Sequence, residues 1–116
     1  MGSLRSDEQW AKYQEYKSQG GLGGGCRLCE IDSMKEFGHW RIVKNKFPYD
    51  NIADVHDMIV PKRHVTEDDL SDEEWEEYKK LKSDYLNTHY DFIIEATHKI
   101  KSIPGHVHWH LIVAKP

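Results

Sequence analysis

The stretch Gly105-His106-Val107-His108-Trp109-His110-Leu111-Ile112-Val113, close to the C-terminus, decides the fold. Three histidines alternate in it with bulky apolar residues. Because side chains of a β-strand point alternately to its two faces, this spacing predicts a strand with all three imidazoles on one face. Val107, Trp109 and Leu111 would lie on the other face. We therefore expect one face of this strand to be packed and the other to carry chemistry.

Length and charge limit the class of protein. A chain of 116 residues has the size of one domain with one modest core. Its net charge of −4 gives no electrostatic reason to expect a protein that coats nucleic acid. Binding to the ends of nucleic acids is possible, but no feature of the sequence indicates it. No apolar run reaches the length of a membrane span, and the N-terminus lacks the plan of a secretory signal. We expect a cytoplasmic protein without a membrane partner.

The chain contains two cysteines, Cys26 and Cys29, in a Cys-x-x-Cys pair. In a reducing compartment such a pair is more often a metal or redox motif than a disulfide. A thioredoxin-like motif should follow a buried strand, but this pair follows the glycine-rich residues 20–25. The pair therefore predicts half of a zinc site, with two further ligands from distant parts of the chain.

The N-terminal part of the chain predicts a short helix and a linker. Residues 6–17 have acidic residues at their start and aromatic residues three apart, which form a predicted docking face: Trp10, Tyr13 and Tyr16. The five glycines among residues 20–25 indicate a flexible link. We therefore divide the chain into an N-terminal helix with its linker, residues 1–25, and a domain over residues 26–116.

A longer helix begins at Ser71. Ser71 and Glu74 form a capping box, and Leu70 and Trp75 are spaced as a hydrophobic staple around it. Apolar residues then recur at helical spacing on one side: Trp75, Tyr78, Leu81 and Tyr85. The pattern predicts a helix that packs on a sheet and ends between residues 86 and 89.

Three other segments have the composition of strands: His39–Asn45, Val55–Val60 and Phe92–Thr97. Pro61 should end the second of them, because proline has no amide proton for the ladder. The order is strands, a helix, then strands again, with short connections. This order predicts an α+β fold in which a twisted antiparallel sheet carries the main helix on one face, with a short N-terminal helix beside it.

Alternating histidines suit two different chemistries. They can chelate a catalytic metal that activates water. Alternatively, one neutral imidazole attacks an electrophile and becomes a covalent intermediate, while its neighbours hold the developing charge. Histidine suits the second role because its ordinary pKa leaves it largely neutral and nucleophilic at physiological pH.

The residues resemble a known family. His106–Ile112 matches the His-φ-His-φ-His-φ-φ signature of the histidine triad (HIT) superfamily of nucleotide hydrolases and nucleotidyl transferases. Upstream, Asn45–Pro48 and His56–His64 resemble the family's pattern before its central helix. The sequence of Trp40–Pro48 is similar to that of the galactose-1-phosphate uridylyltransferase branch. The resemblance covers about residues 26–114 and implies a HIT-like fold.

This resemblance implies roles for four residues of the site. His108, the middle histidine, would attack the α-phosphate of a nucleotide and carry the nucleotidyl group. His110 would contact the phosphoryl oxygens from the same face. Asn45 would lie near the ribose, and His56 would line the site beside the triad.

The resemblance also implies a metal site. In zinc-bearing members a Cys-x-x-Cys pair, the histidine of Pro-Lys-x-His and the first triad histidine bind one zinc ion. Here these positions are Cys26, Cys29, His64 and His106. Four protein ligands that leave no open position are typical of structural zinc. We therefore expect one structural zinc ion per chain.

The chain differs from the family pattern in the connection before the triad. Active relatives usually carry a loop that ends in Gln-Ser and holds the phosphates. Here residues 97–105 form a short connection in which Ser102 lies one position farther from the first histidine. Ser102 is the candidate for that phosphate contact, and Lys99 and Lys101 could supply positive charge. This difference leads us to expect weak catalysis or an unusual substrate.

Three hypotheses follow. The first is a HIT-type hydrolase or nucleotidyl transferase that acts through His108 on a nucleotide or nucleotide conjugate, such as a phosphoramidate or dinucleotide. The second is a nucleotide-binding or interaction module of the same fold that is inactive or weakly active. The third is a zinc hydrolase whose catalytic metal lies on His106, His108 and His110. Family members commonly pair, so the resemblance also implies a homodimer.

Overall fold

The structure, a computed structural model, describes residues 4–19, 26–97, 99 and 103–116. Its strands are β1 (Lys35–Glu36), β2 (Trp40–Lys44), β3 (Ala53–Pro61), β4 (Phe92–Ile94) and β5 (Trp109–Ala114). They form one antiparallel sheet in the order β1-β2-β3-β5-β4. The helices are α1 (Asp7–Ser18), α2 (Arg27–Glu30), α3 (Asp72–Leu81), a π-helical turn (Lys82–Leu86) and α4 (Asn87–His89), with a 3-10 turn at Glu67–Asp69. The predicted α+β class is confirmed.

Several strand boundaries differ from the predicted ones. β2 is one residue shorter at each end than the predicted His39–Asn45. β3 begins two residues earlier than predicted and includes Pro61, which is paired with Trp40 at the last position of the ladder. β4 ends at Ile94 rather than Thr97, because Ile94 is opposite His110 and β5 extends only one residue further in that direction. The two-residue strand β1 was not predicted, since a strand so short has no alternation to detect.

One face of the sheet packs against α3 and forms the main core. Its buried residues are Trp40, Ile42, Ile59, Leu70, Leu81, Leu86, Val107, Trp109 and Leu111. The three apolar residues that alternate with the histidines, Val107, Trp109 and Leu111, are therefore in this core, as the alternation predicted. Trp75, Tyr78 and Tyr85 of the predicted helical stripe pack against the same cluster.

The start of α3 is fixed by the predicted capping box. The Ser71 hydroxyl accepts from the Glu74 amide at 3.1 Å, and the Glu74 carboxylate accepts from the Ser71 amide at 2.8 Å. Arg63 also donates to this carboxylate, at 2.6 Å, and holds the pKa of Glu74 down to about 2. The helical segment ends at His89, inside the predicted limits. No helix in the described parts of the chain is long and apolar enough to cross a membrane.

The histidine face of the sheet also carries a small hydrophobic cluster. Leu28 of α2 packs there on Val43, Met58 and Val60. The Arg41 guanidinium donates to the carbonyl oxygens of Leu28 and Ile31 and so attaches α2 to β2. The face that the sequence assigned to chemistry alone is therefore partly packed, and this packing places the two cysteines.

Helix α1 docks through the aromatic residues that the sequence singled out. Tyr13 is buried, and its ring lies 5.4 Å from the ring of Phe47, while the Tyr16 ring lies 5.1 Å from it. Ser6 caps the helix and also binds the Asp50 carboxylate through its amide and its hydroxyl, both at 2.6 Å. The glycine-rich link lies outside the described residues, and the division at residues 25 and 26 stays a proposal.

Trp40 carries a large share of the stability of the main core. Its side chain is fully buried, its ring lies 5.3 Å from Tyr78 and 5.7 Å from Trp109, and its indole N–H donates to the Glu74 carbonyl at 2.8 Å. We expect Trp40→Ala to lower the free energy of unfolding by about 3–5 kcal/mol through the cavity it leaves. Trp40→Phe keeps a ring and should cost less. Urea unfolding of the wild-type protein and the two variants measures both effects. A loss of unfolding free energy below about 1 kcal/mol in the alanine variant would contradict this packing.

Candidate functional site

The segment that enters β5, residues 106–108, is not part of the sheet ladder. The Val107 amide donates to the Val65 carbonyl at 2.8 Å, and His106 Nε2 lies 2.9 Å from the Pro61 carbonyl oxygen. The prediction that the strand includes His106 and His108 is therefore wrong, because β5 begins at Trp109. The Pro61 carbonyl oxygen, at the end of β3, accepts from the His106 imidazole and not from a strand amide. This change directs the first histidine away from the other two.

Four metal-binding side chains converge where α2, the end of β3 and this segment meet. Cys26 Sγ lies 3.3 Å from His106 Nδ1, and Cys29 Sγ lies 3.4 Å from the same nitrogen. Cys29 Sγ is also 3.3 Å from His64 Nδ1. All four possible ligand atoms are within 4.8 Å of one another. The predicted set is thus brought together from three distant parts of the chain as a cluster that could bind a metal ion.

The hydrogen bonds around the cluster suit metal binding. A carbonyl oxygen only accepts, so His106 must donate from Nε2 to Pro61, and its lone pair is on Nδ1, which faces the sulfur atoms. Histidine ligands of metals are commonly held through the other ring nitrogen in this way. Burial lowers the pKa of His106, and His64 and His108 lower it further, which favours the neutral, ligating form. The two-sulfur, two-nitrogen donor set fits a closed tetrahedral site.

A chain of hydrogen bonds orients His110. The Tyr49 amide donates to His56 Nδ1 at 2.9 Å, so the neutral His56 ring carries its proton on Nε2. That nitrogen lies 2.8 Å from His110 Nδ1, which must accept. The proton of neutral His110 is then on Nε2, and this nitrogen lies 3.4 Å from the Tyr49 hydroxyl. His110 therefore presents an N–H donor at the end of the chain.

His108 has the opposite arrangement. Its Nδ1 lies 2.9 Å from the backbone carbonyl oxygen of His106, which can only accept, so Nδ1 carries the proton and Nε2 carries the lone pair. The rings of His108 and His110 lie 5.4 Å apart and nearly perpendicular. Both side chains are almost fully buried. A nitrogen with a lone pair and a nitrogen with a proton thus belong to neighbouring rings, and this combination can support nucleophilic attack on an electrophile and stabilise the charge that develops.

The structure does not favour a catalytic metal on the three histidines. His106 belongs to the cysteine cluster, which does not include His108 or His110. The Nδ1 atoms of the latter two bind the His106 carbonyl and His56, respectively. The hypothesis of a metal shared by all three imidazoles therefore has no geometric support.

Asn45 connects the histidines to a neighbouring cavity. Its carbonyl oxygen accepts from the Phe47 amide at 2.8 Å, and its Nδ2 lies 3.2 Å from His56 Nε2. It also lines a cavity of about 570 Å³, whose other walls come from α2, the end of β2 and the turn that follows: Arg27, Glu30, Ile31, Lys44, Lys46 and Pro48. Of the candidate site residues, Ser102 lies outside the described residues.

Tyr49 and Arg41 are two supporting residues that the sequence reasoning missed. Tyr49 orients His56 through its backbone amide, a contact that any residue type could make. In the sequence, Arg41 is one polar residue of a predicted alternating strand. Only the packing of α2 shows that its guanidinium binds the carbonyl oxygens of Leu28 and Ile31. Neither role has a signal in the sequence.

His56 provides a direct test of this hydrogen-bond chain. Its burial, with a smaller effect from Arg5, lowers the pKa of His56 to about 3. Between the ordinary value of 6.5 and about 3, the unfolded chain binds a proton that the folded chain does not, so His56 makes stability fall as the pH falls through this range. We expect long-range proton–nitrogen NMR spectra to show a neutral ring with its proton on Nε2 from pH 8 down to about 5. A ring that titrates near pH 6.5 would contradict the proposed tautomers.

Comparison with known proteins supports the fold. No protein-family model matches the chain, and no curated protein matches it. Among solved structures, a HIT family hydrolase from Legionella pneumophila Philadelphia 1 has a TM-score of 0.52 and 19% identity, over 79% of this chain and 95% of that one. A histidine triad protein from Clostridium difficile has a TM-score of 0.52 and 21% identity, over 78% and 90% of the two chains. The chain therefore has the fold of these histidine triad proteins.

Proposed function

We propose that this protein is a histidine triad enzyme that hydrolyses nucleotides or transfers nucleotidyl groups, with His108 as its nucleophile. The observation that carries the proposal is the hydrogen bond from His108 Nδ1 to the His106 carbonyl oxygen, which leaves the lone pair of His108 on Nε2, in a ring whose centroid lies 5.4 Å from that of His110. The neighbouring solved structures are a HIT family hydrolase and a histidine triad protein, which supports a nucleotide-related function of this kind.

In the proposed reaction, Nε2 of His108 attacks the α-phosphorus of a nucleotide. A nitrogen–phosphorus bond forms, and the bond from phosphorus to the leaving group breaks. The leaving group departs with a proton taken from solvent. Water then attacks the nucleotidyl-histidine, the nitrogen–phosphorus bond breaks and His108 is regenerated. The hydroxyl of the water remains on phosphorus, and its proton returns to solvent. In a transferase another hydroxyl compound takes the place of water. With adenosine phosphoramidate, the hydrolytic products would be AMP and ammonia.

The neighbouring residues position the substrate and stabilise charge. His110 donates from Nε2 to a non-bridging oxygen, where negative charge develops in the transition state. His56 keeps His110 in that tautomer through the 2.8 Å contact with its Nδ1. Asn45 contacts the ribose from the cavity side, and Ser102 contacts the phosphate from the connection before the triad. These two substrate contacts come from the sequence resemblance.

The cysteine and histidine cluster would hold one structural zinc ion per chain. Cys26, Cys29, His64 and His106 would be its ligands, and their geometry supports this assignment. Zinc in such a closed site supplies cross-linking rather than Lewis acidity. It would join α2 to the segment that enters β5 and so keep the His106 carbonyl in place for His108.

We also propose a homodimer that works in the cytoplasm. The edge strand β4 carries Phe92, which is 58% exposed. An edge strand has unpaired backbone N–H and C=O groups that can pair with a strand of a second chain. The number of subunits can be read by native mass spectrometry.

A second candidate is a nucleotide-binding module of the same fold with little or no turnover. The connection over residues 97–105, which lacks the Gln-Ser of active relatives, favours it. It predicts that nucleotides bind and that phosphoramidate and dinucleotide substrates remain intact.

The test of the proposed function is to trap the covalent intermediate. The protein is mixed with adenosine phosphoramidate, quenched in alkali, in which phosphohistidine bonds survive, and its intact mass is measured. A mass increase of one adenylyl group together with AMP release supports the enzyme. Binding without either product would identify the second candidate, and absence of binding would contradict both.

A further inference from the structure

The cavity beside Asn45 has an unusual charge. Three cationic residues line it, Arg27, Lys44 and Lys46, whereas Glu30 is its one acidic residue among those that the structure describes. In the described part of the chain, no ion pair joins Glu30 to any of these three cations, and the ion pairs that form there use Lys12, Lys62 and Arg63. Positive charge therefore accumulates at this wall in a protein whose net charge is −4.

Of the three cations, Arg27 has the surroundings that most clearly favour an anionic ligand. Its Nη2 atom is buried and has no hydrogen-bond partner among the described residues. The nearest groups around its guanidinium include the rings of Tyr16 and Phe47, both 5.7 Å away at their centroids. Aromatic faces attract a cation but offer no in-plane oxygen to its N–H groups. A guanidinium with an unpaired donor favours an anion nearby, and an anion in the cavity can reach the accessible part of the half-buried Arg27 side chain.

Lys46 is held in a similar way. Its ammonium group lies 4.8 Å from the Tyr16 ring centroid and 5.6 Å from that of Phe47. Helix α1 therefore supplies an aromatic ring that both cations share. Lys44, at the end of β2, is exposed at the same cavity. The planar donors of arginine and the mobile ammonium groups of the lysines are together the usual recognition set for phosphate.

Asn45 shows where the cationic cavity lies relative to the histidines of the site. It lines the cavity and also lies 3.2 Å from His56 Nε2, which in turn contacts His110. In the proposed enzyme Asn45 contacts the ribose, so the cations lie on the ribose side of the substrate, away from the leaving group. The apolar walls, Ile31 and Pro48, leave room beside them for the nucleoside.

We propose that this cavity binds a second phosphate group, carried on the ribose of the nucleotide and separate from the phosphate that His108 attacks. The preferred ligands would be nucleoside 3′,5′-bisphosphates rather than simple 5′-monophosphates. This inference rests on the proposed nucleotide site and adds to it a substrate class and the residue that selects it, Arg27.

The test compares the affinities of three nucleotides by isothermal titration calorimetry of the metal-loaded protein. AMP has one phosphate, adenosine 3′,5′-bisphosphate has the second on the ribose, and ADP has the second on the leaving-group side. We expect the bisphosphate to bind about 10-fold or more tighter than AMP, with a smaller gain for ADP. Equal affinity of AMP and the bisphosphate, or an equal gain for ADP, would overturn the inference while leaving the nucleotide site intact. If none of the three binds, the proposed function fails as well.

Variants then locate the second phosphate. Arg27→Gln should remove most of the gain of the bisphosphate over AMP, and Lys44→Gln, which lies outside α2, should reduce it about 3-fold or more. Lys80→Gln, on the exposed side of α3, removes the same charge elsewhere and should keep the full gain. Because Arg27 lies between the two cysteines, metal content and circular dichroism are measured for each variant. A full gain in both cavity variants would overturn the inference.

Discussion

The His108→Ala variant should lose nucleotide turnover by about 10⁴-fold or more and form no covalent adduct, because removal of a covalent nucleophile has effects of this order in hydrolases. The reason lies in its hydrogen bond: Nδ1 donates to the His106 carbonyl, so Nε2 is the nitrogen that attacks. The neighbouring His110 ring has the opposite arrangement, since the chain from Tyr49 through His56 leaves His110 with its proton on Nε2.

The measurement combines AMP release with the intact mass after quenching. His39→Ala is the matched control, because the His39 side chain is exposed and should be dispensable. Nucleotide binding to His108→Ala should persist within about 10-fold, which separates loss of chemistry from loss of the site. An adduct that forms on His108→Ala would show that another residue is the nucleophile.

The second large effect is expected from the metal cluster. Cys29→Ala should release the metal and lower the free energy of unfolding by about 5 kcal/mol or more, since structural zinc contributes more than this in small domains. For a protein of this size such a loss is comparable with the whole stability. The Cys29 side chain is exposed, so its removal leaves little cavity and the effect reports on the metal.

Metal content by native mass spectrometry and urea unfolding check this prediction. Wild-type protein treated with a chelator should match Cys29→Ala, and the chelator should change the variant little further. His39→Ala again serves as the control that keeps both metal and stability. A metal that stays bound after loss of Cys29 would show that the site lies elsewhere, as it would if the three triad histidines held the ion.

Local patterns in the sequence predicted the fold class and the places of its main helix and core residues well. The capping box of Ser71 and Glu74 needs residues three apart, and the alternation around Trp109 needs only its neighbours in the chain. Both are decided by backbone geometry within one element. For the same reason the aromatic spacing of α1 predicted a docking face, although its partner, Phe47, could not be read from that segment.

The features that the sequence could not predict depend on contacts between distant segments. The start of β5 depends on where β3 ends, because the Pro61 carbonyl takes the His106 ring. The charge of the cavity depends on α2 lying beside the end of β2, which Arg41 maintains. The metal set could be assigned only through the resemblance, since spacing alone does not show which of eight histidines joins the cysteines.

His106 belongs to both sites: its ring faces the cysteines, while its backbone oxygen holds the proton of His108. In the proposed enzyme, the affinity for the metal and the affinity for the nucleotide would therefore depend on each other. By thermodynamic reciprocity, a nucleotide that binds better to the metal-loaded chain must also raise the affinity of the chain for the metal by the same factor. Substrate would then protect the protein against chelation and against oxidation of its thiols, and a shortage of metal would reduce both the activity and the amount of folded protein.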